Sequence, residues 1–285
     1  MAIFTNQATL SYRNGAVSSN VVTGEILETL SATKQALLGT YSAGDTVTYV
    51  VGIFNSGAAP VTGVTVSDDL GAYPFNATTL VPLTYVEGSL NYYQNGVLQP
   101  DPTVNSGGTE LIVTNITVPA NGYAQLIYQA RVNEFAPVNA GGQIVNTVTV
   151  TSGGETVTAV EAITANEAPL LGINKGVSPT TVTENGQLTY TFTIQNFGNT
   201  EAGAEEALSV TDVFDPILDP ITVIYNGTTL TEGTDYSYDT TTGLFTTTAG
   251  VITVPAATLV QDPVTGEFNV TPGTAILTVT GTVRG

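Results

Sequence analysis

The sequence contains no cysteine, no histidine and no tryptophan, and only five of its 285 residues are basic. Without histidine or cysteine the usual hydrolytic and redox constellations cannot be built, so we expect a protein that is not an enzyme and carries no cofactor or resident metal. Any staple within the fold must also be something other than a disulfide. The 24 acidic residues leave a formal net charge of −19, which argues against nucleic acid and anionic membrane surfaces as partners.

Long apolar segments are also missing. No stretch is apolar and long enough to span a membrane, so we expect no membrane insertion. The first residues lack the basic and apolar regions of a secretory signal, and the C-terminal TVTGTVRG has no wall-sorting or lipidation motif. Two alternatives follow for a protein that acts outside the cell: a leader has been removed, or the chain reaches its place without the general secretory route.

Threonine, valine, glycine and alanine dominate the sequence, and only 10% of the residues are charged. This composition is typical of a β-rich protein with a hydroxyl-rich surface. No run has sustained helical periodicity, whereas many short alternating segments are separated by glycine, proline and asparagine turns. The pattern and length predict an all-β fold of two tandem immunoglobulin-like sandwiches.

The two lysines of the sequence mark an internal repeat, because the segment that follows each lysine at the same distance matches and further matching segments come later in the same order. The matching segments are GDTVTYVVGIFNSG (44–57) with NGQLTYTFTIQNFG (185–198), GVTVSDDL (63–70) with LSVTDVFD (208–215), and GYAQLIYQARV (122–132) with GTAILTVTGTV (273–283). The insertion within Thr200–Ala207 is predicted to be a loop. Asn95-Gly96 and Asn226-Gly227 predict one hairpin turn in each repeat.

The second repeat has no counterpart of QIVNTVTVTS, the strand at Gln143–Ser152 that follows in the first repeat. A similar strand opens the chain, where Thr5–Thr9 lines up with Val145–Thr149. The next segment, Ser18–Ile26, parallels Thr156–Thr164 and is its expected hairpin partner. We therefore predict three parts: a donor strand and hairpin at 1–26, a complete repeat at 27–165 and an incomplete repeat at 166–285, with the joint at 166–170.

The missing strand predicts how copies of the chain associate. An open sheet edge is a template for a strand of another chain, and the strand at Phe4, Asn6, Ala8 and Leu10 has the right alternation to fill it. Because donor and acceptor lie in different parts of the chain, the contact is heterologous and propagates. The predicted partner is therefore the protein itself, in a head-to-tail homopolymer.

The motifs GDTVTY, NSG, VTVSDDL and NTVTV resemble the bacterial surface repeat family catalogued as the eleventh domain of unknown function. This resemblance implies an immunoglobulin-like sandwich on a cell surface. Two such repeats also resemble the major subunit of clostridial spore appendages, which implies a filament attached to the spore by an anchoring protein. A spore protein made inside the mother cell needs no secretory signal. The alternative function is a monomeric adhesive or surface-layer module in a larger coat.

Strand alternation places Lys34, Asp68 and Asn146 on the apolar face of the first repeat. Lys175 and Asp212 occupy the same positions in the second repeat, and Asn6 of a neighbouring copy is predicted to complete that set. Burial disfavours the charged forms of lysine and aspartate, so the lysine becomes a neutral nucleophile and the carboxyl keeps its proton. Attack on the asparagine amide then expels ammonia.

This arrangement resembles the isopeptide chemistry of Gram-positive pilins and adhesins, in which a first-strand lysine meets a last-strand asparagine beside an acid. The resemblance implies a bond between Lys34 and Asn146 within the subunit and between Lys175 and Asn6 across subunits, with Asp68 and Asp212 as the acids. Two other interpretations stay open: a non-covalent buried ion pair with the asparagine satisfying backbone, or solvated strand ends.

Overall fold

The computed structural model describes residues 2–26 and 28–284, whose regular secondary structure is β-strand apart from one 3-10 turn at Ala204–Glu206. The strands up to residue 165 are β1 (Ala2–Asn6), β2 (Thr9–Tyr12), β3 (Gly15–Ser18), β4 (Val22–Ile26), β5 (Leu30–Ala36), β6 (Thr40–Tyr41), β7 (Thr46–Asn55), β8 (Val61–Asp68), β9 (Tyr73–Phe75), β10 (Thr78–Leu80), β11 (Leu83–Tyr85), β12 (Asn91–Gln94), β13 (Val97–Leu98), β14 (Thr103–Asn105), β15 (Leu111–Val118), β16 (Gly122–Val132), β17 (Gln143–Ser152) and β18 (Glu155–Ala165). The later strands are β19 (Leu171–Ser178), β20 (Gln187–Asn196), β21 (Thr211–Val213), β22 (Leu218–Tyr225), β23 (Thr228–Thr229), β24 (Tyr236–Asp239), β25 (Leu244–Thr247), β26 (Thr258–Gln261), β27 (Phe268–Thr271) and β28 (Gly273–Val283). The predicted all-β fold of tandem immunoglobulin-like sandwiches is confirmed.

The chain divides into two compact units. The first comprises the residues up to Gly39, Gly44–Asn133 and Ile144–Ile163. The second comprises Thr40–Ala43, Glu134–Gln143 and the residues from Thr164 onward. The change of unit near residue 164 lies close to the predicted joint, but two short earlier segments also belong to the second unit, and the N-terminal residues are grouped with the first.

The first unit is a sandwich of two sheets. One sheet has the order β13-β12-β16-β7-β5, and the other contains β14-β15-β8-β17-β18 in that order. Alternate residues of β7, β8, β16 and β17 are buried, as the period of two requires for strands with one face in a core. Tyr128 of β16 lies opposite Tyr49 of β7, and Asp68 of β8 lies opposite Val148 of β17. These two registers position the first candidate site.

The second unit has a five-stranded sheet of order β19-β20-β28-β22-β23 and a three-stranded sheet of order β21-β25-β24. Its buried core includes Tyr190, Phe192, Phe214, Phe245 and Leu277. β21 pairs only with β25 among the described residues, so one of its edges carries no strand. In the first unit, the corresponding β8 has a strand on each side, β15 and β17.

The N-terminal residues form the predicted hairpin. β1 pairs with β4 and β2 pairs with β3, both antiparallel, which confirms the pairing expected for Ser18–Ile26. Among its apolar side chains, Phe4 is 50% exposed and Leu10 is 68% exposed. A two-stranded ribbon with both faces in water is only marginally stable by itself. The exposed apolar side chains of this hairpin are therefore a surface that a further contact would bury.

Both predicted hairpin turns are confirmed: Asn95-Gly96 links β12 to β13 and Asn226-Gly227 links β22 to β23, with positive φ at all four residues. The insertion within Thr200–Ala207 contains the 3-10 turn in addition to the expected irregular chain. In the described part of the chain, the search for a helix apolar and long enough to cross a bilayer finds none.

Candidate crosslinking sites and acceptor edge

The first site is a buried ion pair between the two sheets of the first unit. Lys34 lies on β5 and Asp68 ends β8, and the Lys34 Nζ atom contacts the Asp68 Oδ2 atom. The two side chains are 0% and 3% exposed. The Tyr128 hydroxyl donates a hydrogen bond to the same Oδ2 atom, while the backbone N–H of Leu70 donates to Oδ1 at 3.0 Å. Both oxygen atoms of the Asp68 carboxylate therefore accept hydrogen bonds from specific donors.

Asn146 belongs to the same cluster. It is 0% exposed on β17, two residues from Val148, which lies opposite Asp68. Neither its Nδ2 nor its Oδ1 atom makes a hydrogen bond of normal geometry, although the amide lies close enough to the Tyr128 hydroxyl to lower the pKa of that phenol. An unsatisfied buried amide costs about 1–3 kcal/mol. Buried polar groups are normally hydrogen-bonded, so this amide is an exception within the cluster.

Asp69 holds the strand that carries Asn146. Its Oδ1 atom accepts hydrogen bonds from the backbone N–H of Thr147 and of Gly71, each at 2.9 Å. Its own N–H donates to the carbonyl oxygen of Thr147 at 3.0 Å. Burial raises the pKa of the Asp69 carboxyl, and the two backbone hydrogen bonds counteract that rise. The residue next to Asn146 is thus fixed from both its N–H and its C=O.

Burial shifts the pKa values of two groups at the first site. Burial lowers the pKa of Lys34, and the attraction of Asp68 offsets part of this effect. Burial also raises the pKa of Tyr128 well above its usual value, with the Asp68 charge acting in the same direction. Tyr128 therefore stays a hydrogen-bond donor, while burial makes the Lys34 ammonium easier to deprotonate than a lysine in water.

The second site has the same ion pair in a more open setting. The Lys175 Nζ atom contacts the Asp212 Oδ2 atom, with the side chains 39% and 19% exposed. That Oδ2 atom accepts no hydrogen bond of normal geometry, so the contact is ionic only. The ammonium lies 4.3 Å from the ring centroid of Tyr190 and 5.6 Å from that of Phe214. Aromatic faces hold the lysine in place, whereas its strand neighbours are exposed.

An apolar cavity of about 190 Å³ is lined by residues of β19 and β20 and by the segment that leads into β21. Its lining is almost wholly aliphatic: Leu171 and Ile173 of β19, Ile194 of β20, Leu208 and Val210 preceding β21, and Ile252. Leu171 and Ile173 are 39% and 56% exposed, although the alternation of β19 predicts a buried face. A further strand with apolar side chains would bury this surface.

The structure places the other predicted residues on the N-terminal hairpin. Phe4 and Asn6 lie on β1, Leu10 lies on β2, and Ala8 lies between the two strands. Asn6 pairs with Val22 and is exposed. The predicted donor residues are therefore in water rather than in a core. Within the described ranges, no group of three or more acidic residues is arranged to hold a metal ion.

Sequence reasoning missed three contributors to the first site. Tyr128 shares the inward face of β16 with Leu126 and Ala130. Its polar hydroxyl on this otherwise apolar face was the signal in the sequence that could have identified it. Asp69 points to the other face of the strand end and acts through the backbone. Glu161 on β18 accepts the N–H of Ala36 at 3.2 Å and so closes the open edge of β5.

No protein-family model and no curated protein matches the sequence. The fold is similar to several solved structures at low identity. A structure named BspA_C_WT has 15% identity and a TM-score of 0.36, covering 88% of this chain and 91% of that one. The major pilin SpaD from Corynebacterium diphtheriae has 14% identity and a TM-score of 0.35, covering 57% of this chain and 41% of that one. BcpA, the major pilin subunit of Bacillus cereus, has 11% identity and a TM-score of 0.36, covering 95% and 73%.

Proposed function

We propose that the protein is a structural subunit of an extracellular fibre on a bacterial surface, in which the N-terminal hairpin of one copy completes the second unit of the next. The observation that carries the proposal is a difference between the units. β17 covers one edge of β8 in the first unit, whereas no described strand covers the matching edge of β21 in the second. The hairpin that resembles β17 and β18 is exposed.

The two surfaces are chemically complementary. The hairpin offers a strand with free backbone groups and exposed Phe4 and Leu10 side chains. The second unit offers an unpaired backbone edge at β21 and the aliphatic cavity that the segment leading into β21 helps to line. Main-chain hydrogen bonds supply the affinity of such strand addition, and alternate side chains in the cavity supply its specificity. Because the two surfaces differ, the contact is heterologous and extends into a fibre unless it closes into a ring.

A covalent bond between Lys34 and Asn146 belongs to the proposal. A proton moves from the Lys34 ammonium to the Asp68 carboxylate, and the neutral Nζ atom attacks the Asn146 Cγ atom. An Nζ proton passes to the departing amide nitrogen, the bond from Cγ to that nitrogen breaks, and ammonia leaves. The released ammonia takes the Asp68 proton, so the products are an amide between the side chains, ammonium and the original carboxylate. The unsatisfied Asn146 amide supports this step.

The same chemistry at the second unit would link subunits. Lys175 and Asp212 are paired there, and in the proposed fibre Asn6 of the neighbouring hairpin takes the place that Asn146 has in the first unit. The partial exposure of Lys175 suits a site that is completed only on assembly. By the resemblance stated above, the fibre is a spore appendage, and an antibody to the protein should then label spores rather than vegetative cells.

A denaturing gel of the boiled protein, with the intact mass of each band, tests both bonds. We expect a ladder of multimers in which each subunit is lighter by one ammonia for each bond formed. Lys175→Arg keeps the positive charge beside Asp212 but removes the nucleophile, so its filaments should dissolve into monomers that are each one ammonia lighter. Asn6→Ala should behave in the same way.

Deletion of residues 1–12 separates the fibre from the alternative, a monomeric adhesive or surface-layer module. The fibre proposal predicts that the deleted protein folds and stays monomeric in electron micrographs and in light scattering. Filaments that still form without these residues would exclude strand donation. A wild-type protein that stays monomeric at every concentration would favour the adhesive module, and an unmodified mass would exclude both isopeptide bonds.

A further inference from the structure

We propose that Tyr128 is a catalytic residue of the Lys34–Asn146 reaction, in which its hydroxyl donates a hydrogen bond to the amide oxygen as negative charge develops there. This inference rests on the proposed isopeptide bond and adds a component to it. The juxtaposition behind it is the contact of the Tyr128 hydroxyl with the proton acceptor Asp68, together with the unsatisfied Asn146 amide on β17, two residues from Val148, which lies opposite Asp68.

The Tyr128 hydroxyl is held in one place. Its ring is stacked on Tyr49 with centroids 5.7 Å apart, and Tyr85 lies against its other side at 6.4 Å. Tyr128 is 2% exposed, so its hydroxyl is shielded from bulk solvent. Preorganised donors in a water-free site are the usual means of stabilising a developing oxyanion. Burial keeps this phenol protonated, so the donor stays available while Lys34 loses its proton.

Transfer of the Lys34 proton to Asp68 changes which acceptor is favourable for the Tyr128 hydroxyl. Before reaction, Lys34 and Tyr128 both donate to the Oδ2 atom of Asp68, and Leu70 N–H occupies Oδ1. Once Oδ2 has taken the Lys34 proton, it no longer carries the charge that attracts the phenol. Attack on Cγ creates a new negative oxygen on Asn146 at the same time. The Tyr128 hydroxyl then rotates so that it donates to that oxygen instead of to Asp68. It donates to Asp68 again when ammonia has left.

The second site lacks this group. Tyr128 lies opposite Tyr49 in the first unit, and the residue opposite the equivalent Tyr190 is Val279. Valine has no hydroxyl to donate. The inference therefore predicts that the bond at Lys34 forms faster than the bond at Lys175, even when the hairpin already occupies its acceptor. The Lys34–Asn146 bond within each subunit would therefore form before the Lys175–Asn6 bonds between subunits.

The test is a time course of bond formation in the newly synthesised full-length chain. Each sample is unfolded before digestion, because Lys34 is buried in the native protein. Trypsin then cuts after Lys34 only while its amine is free, so the fraction of chain cut at this position measures the unreacted protein. Tyr128→Phe removes the hydroxyl and keeps the ring, and we expect the reaction to slow by about 100-fold. Tyr92→Phe is the matched control, because it removes a buried phenol that bonds to Thr117 and does not contact Asp68.

A stability measurement separates catalysis from folding. The urea midpoint of each variant is measured in an Asn146→Ala background, where no bond can form. Both phenylalanine variants should lower the midpoint, but only Tyr128→Phe should lower the rate. Equal rates for Tyr128→Phe and wild type would overturn the role of Tyr128 and leave the bond itself intact. Equal slowing by Tyr128→Phe and Tyr92→Phe would assign the effect to stability, and a wild type that is always cut at Lys34 would remove the proposed bond as well.

Discussion

At the scale of single residues, the buried pair of Lys34 and Asp68 has no solvent to screen it. Taking two charges out of water has a large free-energy cost. Their mutual attraction offsets that cost only when the remaining donors and acceptors of the pair are also hydrogen-bonded. Asp68 meets this condition through Lys34, Tyr128 and the Leu70 N–H. Asn146 does not, and it is the unsatisfied member that the proposed reaction consumes. Under the proposed function, this cluster therefore serves a reaction rather than stability.

Removing one member of the pair should therefore cost more than removing both. In the unreactive Asn146→Ala background, Asp68→Ala leaves the Lys34 ammonium buried without a partner and should lower the free energy of unfolding by about 3–5 kcal/mol. Lys34→Met combined with Asp68→Leu replaces the pair by apolar side chains. This double variant should change the free energy of unfolding by less than about 1 kcal/mol or raise it. Urea unfolding measures both, and a double variant less stable than Asp68→Ala would contradict this view.

The lowered pKa of Lys34 predicts a pH dependence in the same background. The usual value is 10.5 and the folded-state pKa lies below it. As pH rises between the two values, the unfolded chain still holds the proton that the folded chain has lost, so stability should increase. The raised pKa of Tyr128 acts in the opposite direction above its usual value of 10.0, so urea midpoints are best compared below that pH.

Lys34→Met combined with Asp68→Leu supplies the control for this titration when the comparison is kept between neutral pH and pH 10.0, where Tyr128 keeps its proton in both proteins. The Lys34-containing protein should gain stability relative to the control as the solution becomes alkaline. A constant difference would mean that the pKa of Lys34 is not lowered by folding.

At the scale of elements, the N-terminal hairpin and the edge of β21 are each incomplete. The hairpin places Phe4 and Asn6 on one face of β1 and Thr5 on the other. In β17, the same alternation buries Ile144, Asn146 and Val148 while Val145 is 48% exposed. A donated hairpin should therefore bury the Phe4 face and leave the Thr5 face in water.

The two faces of β1 can be tested separately. Phe4→Asp places a charge on the face that would enter the aliphatic cavity and should raise the concentration needed for polymerisation at least tenfold, because burial of an unpaired charge is costly. Thr5→Asp adds the same charge on the opposite face and should change this concentration by less than about threefold. Light scattering gives both values. Equal effects of the two substitutions would show that β1 does not insert with its Phe4 face inward.

At the scale of the whole molecule, the net charge of −19 opposes association of identical copies. Strand addition brings an acidic chain against another acidic chain, and salt screens their repulsion beyond about 10 Å at 0.1 M ionic strength. Raising the sodium chloride concentration from about 0.01 M to about 0.15 M should therefore accelerate polymerisation several-fold. Stopped-flow light scattering measures the rate.

Covalent closure of the first unit should not share this salt dependence. Lys34, Asp68 and Asn146 are buried from bulk ions, so trypsin resistance at Lys34 should develop at the same rate in both salt concentrations. A polymerisation rate that falls with added salt would mean that attraction between oppositely charged patches, rather than screened repulsion, governs assembly.

The amino-acid sequence by itself determined the all-β class, the two repeats, both Asn-Gly hairpin turns and the placement of Lys34, Asp68 and Asn146 on the inward faces of their strands. These follow from local physics, since alternation, turn chemistry and repeated spacing are properties of short segments. The N-terminal hairpin was also predictable, because its pairing partner follows within the next few residues of the chain.

Only the tertiary structure decided how these residues differ in their surroundings. Lys34 and Lys175 occupy equivalent positions, yet the first is buried and the second is 39% exposed, because β17 covers one edge and nothing in the described chain covers the other. Tyr128 joined the site because pairing of β16 with β7 and packing of the two sheets bring its hydroxyl to Asp68. Burial and convergence depend on contacts between residues distant in sequence, and no local pattern contains them.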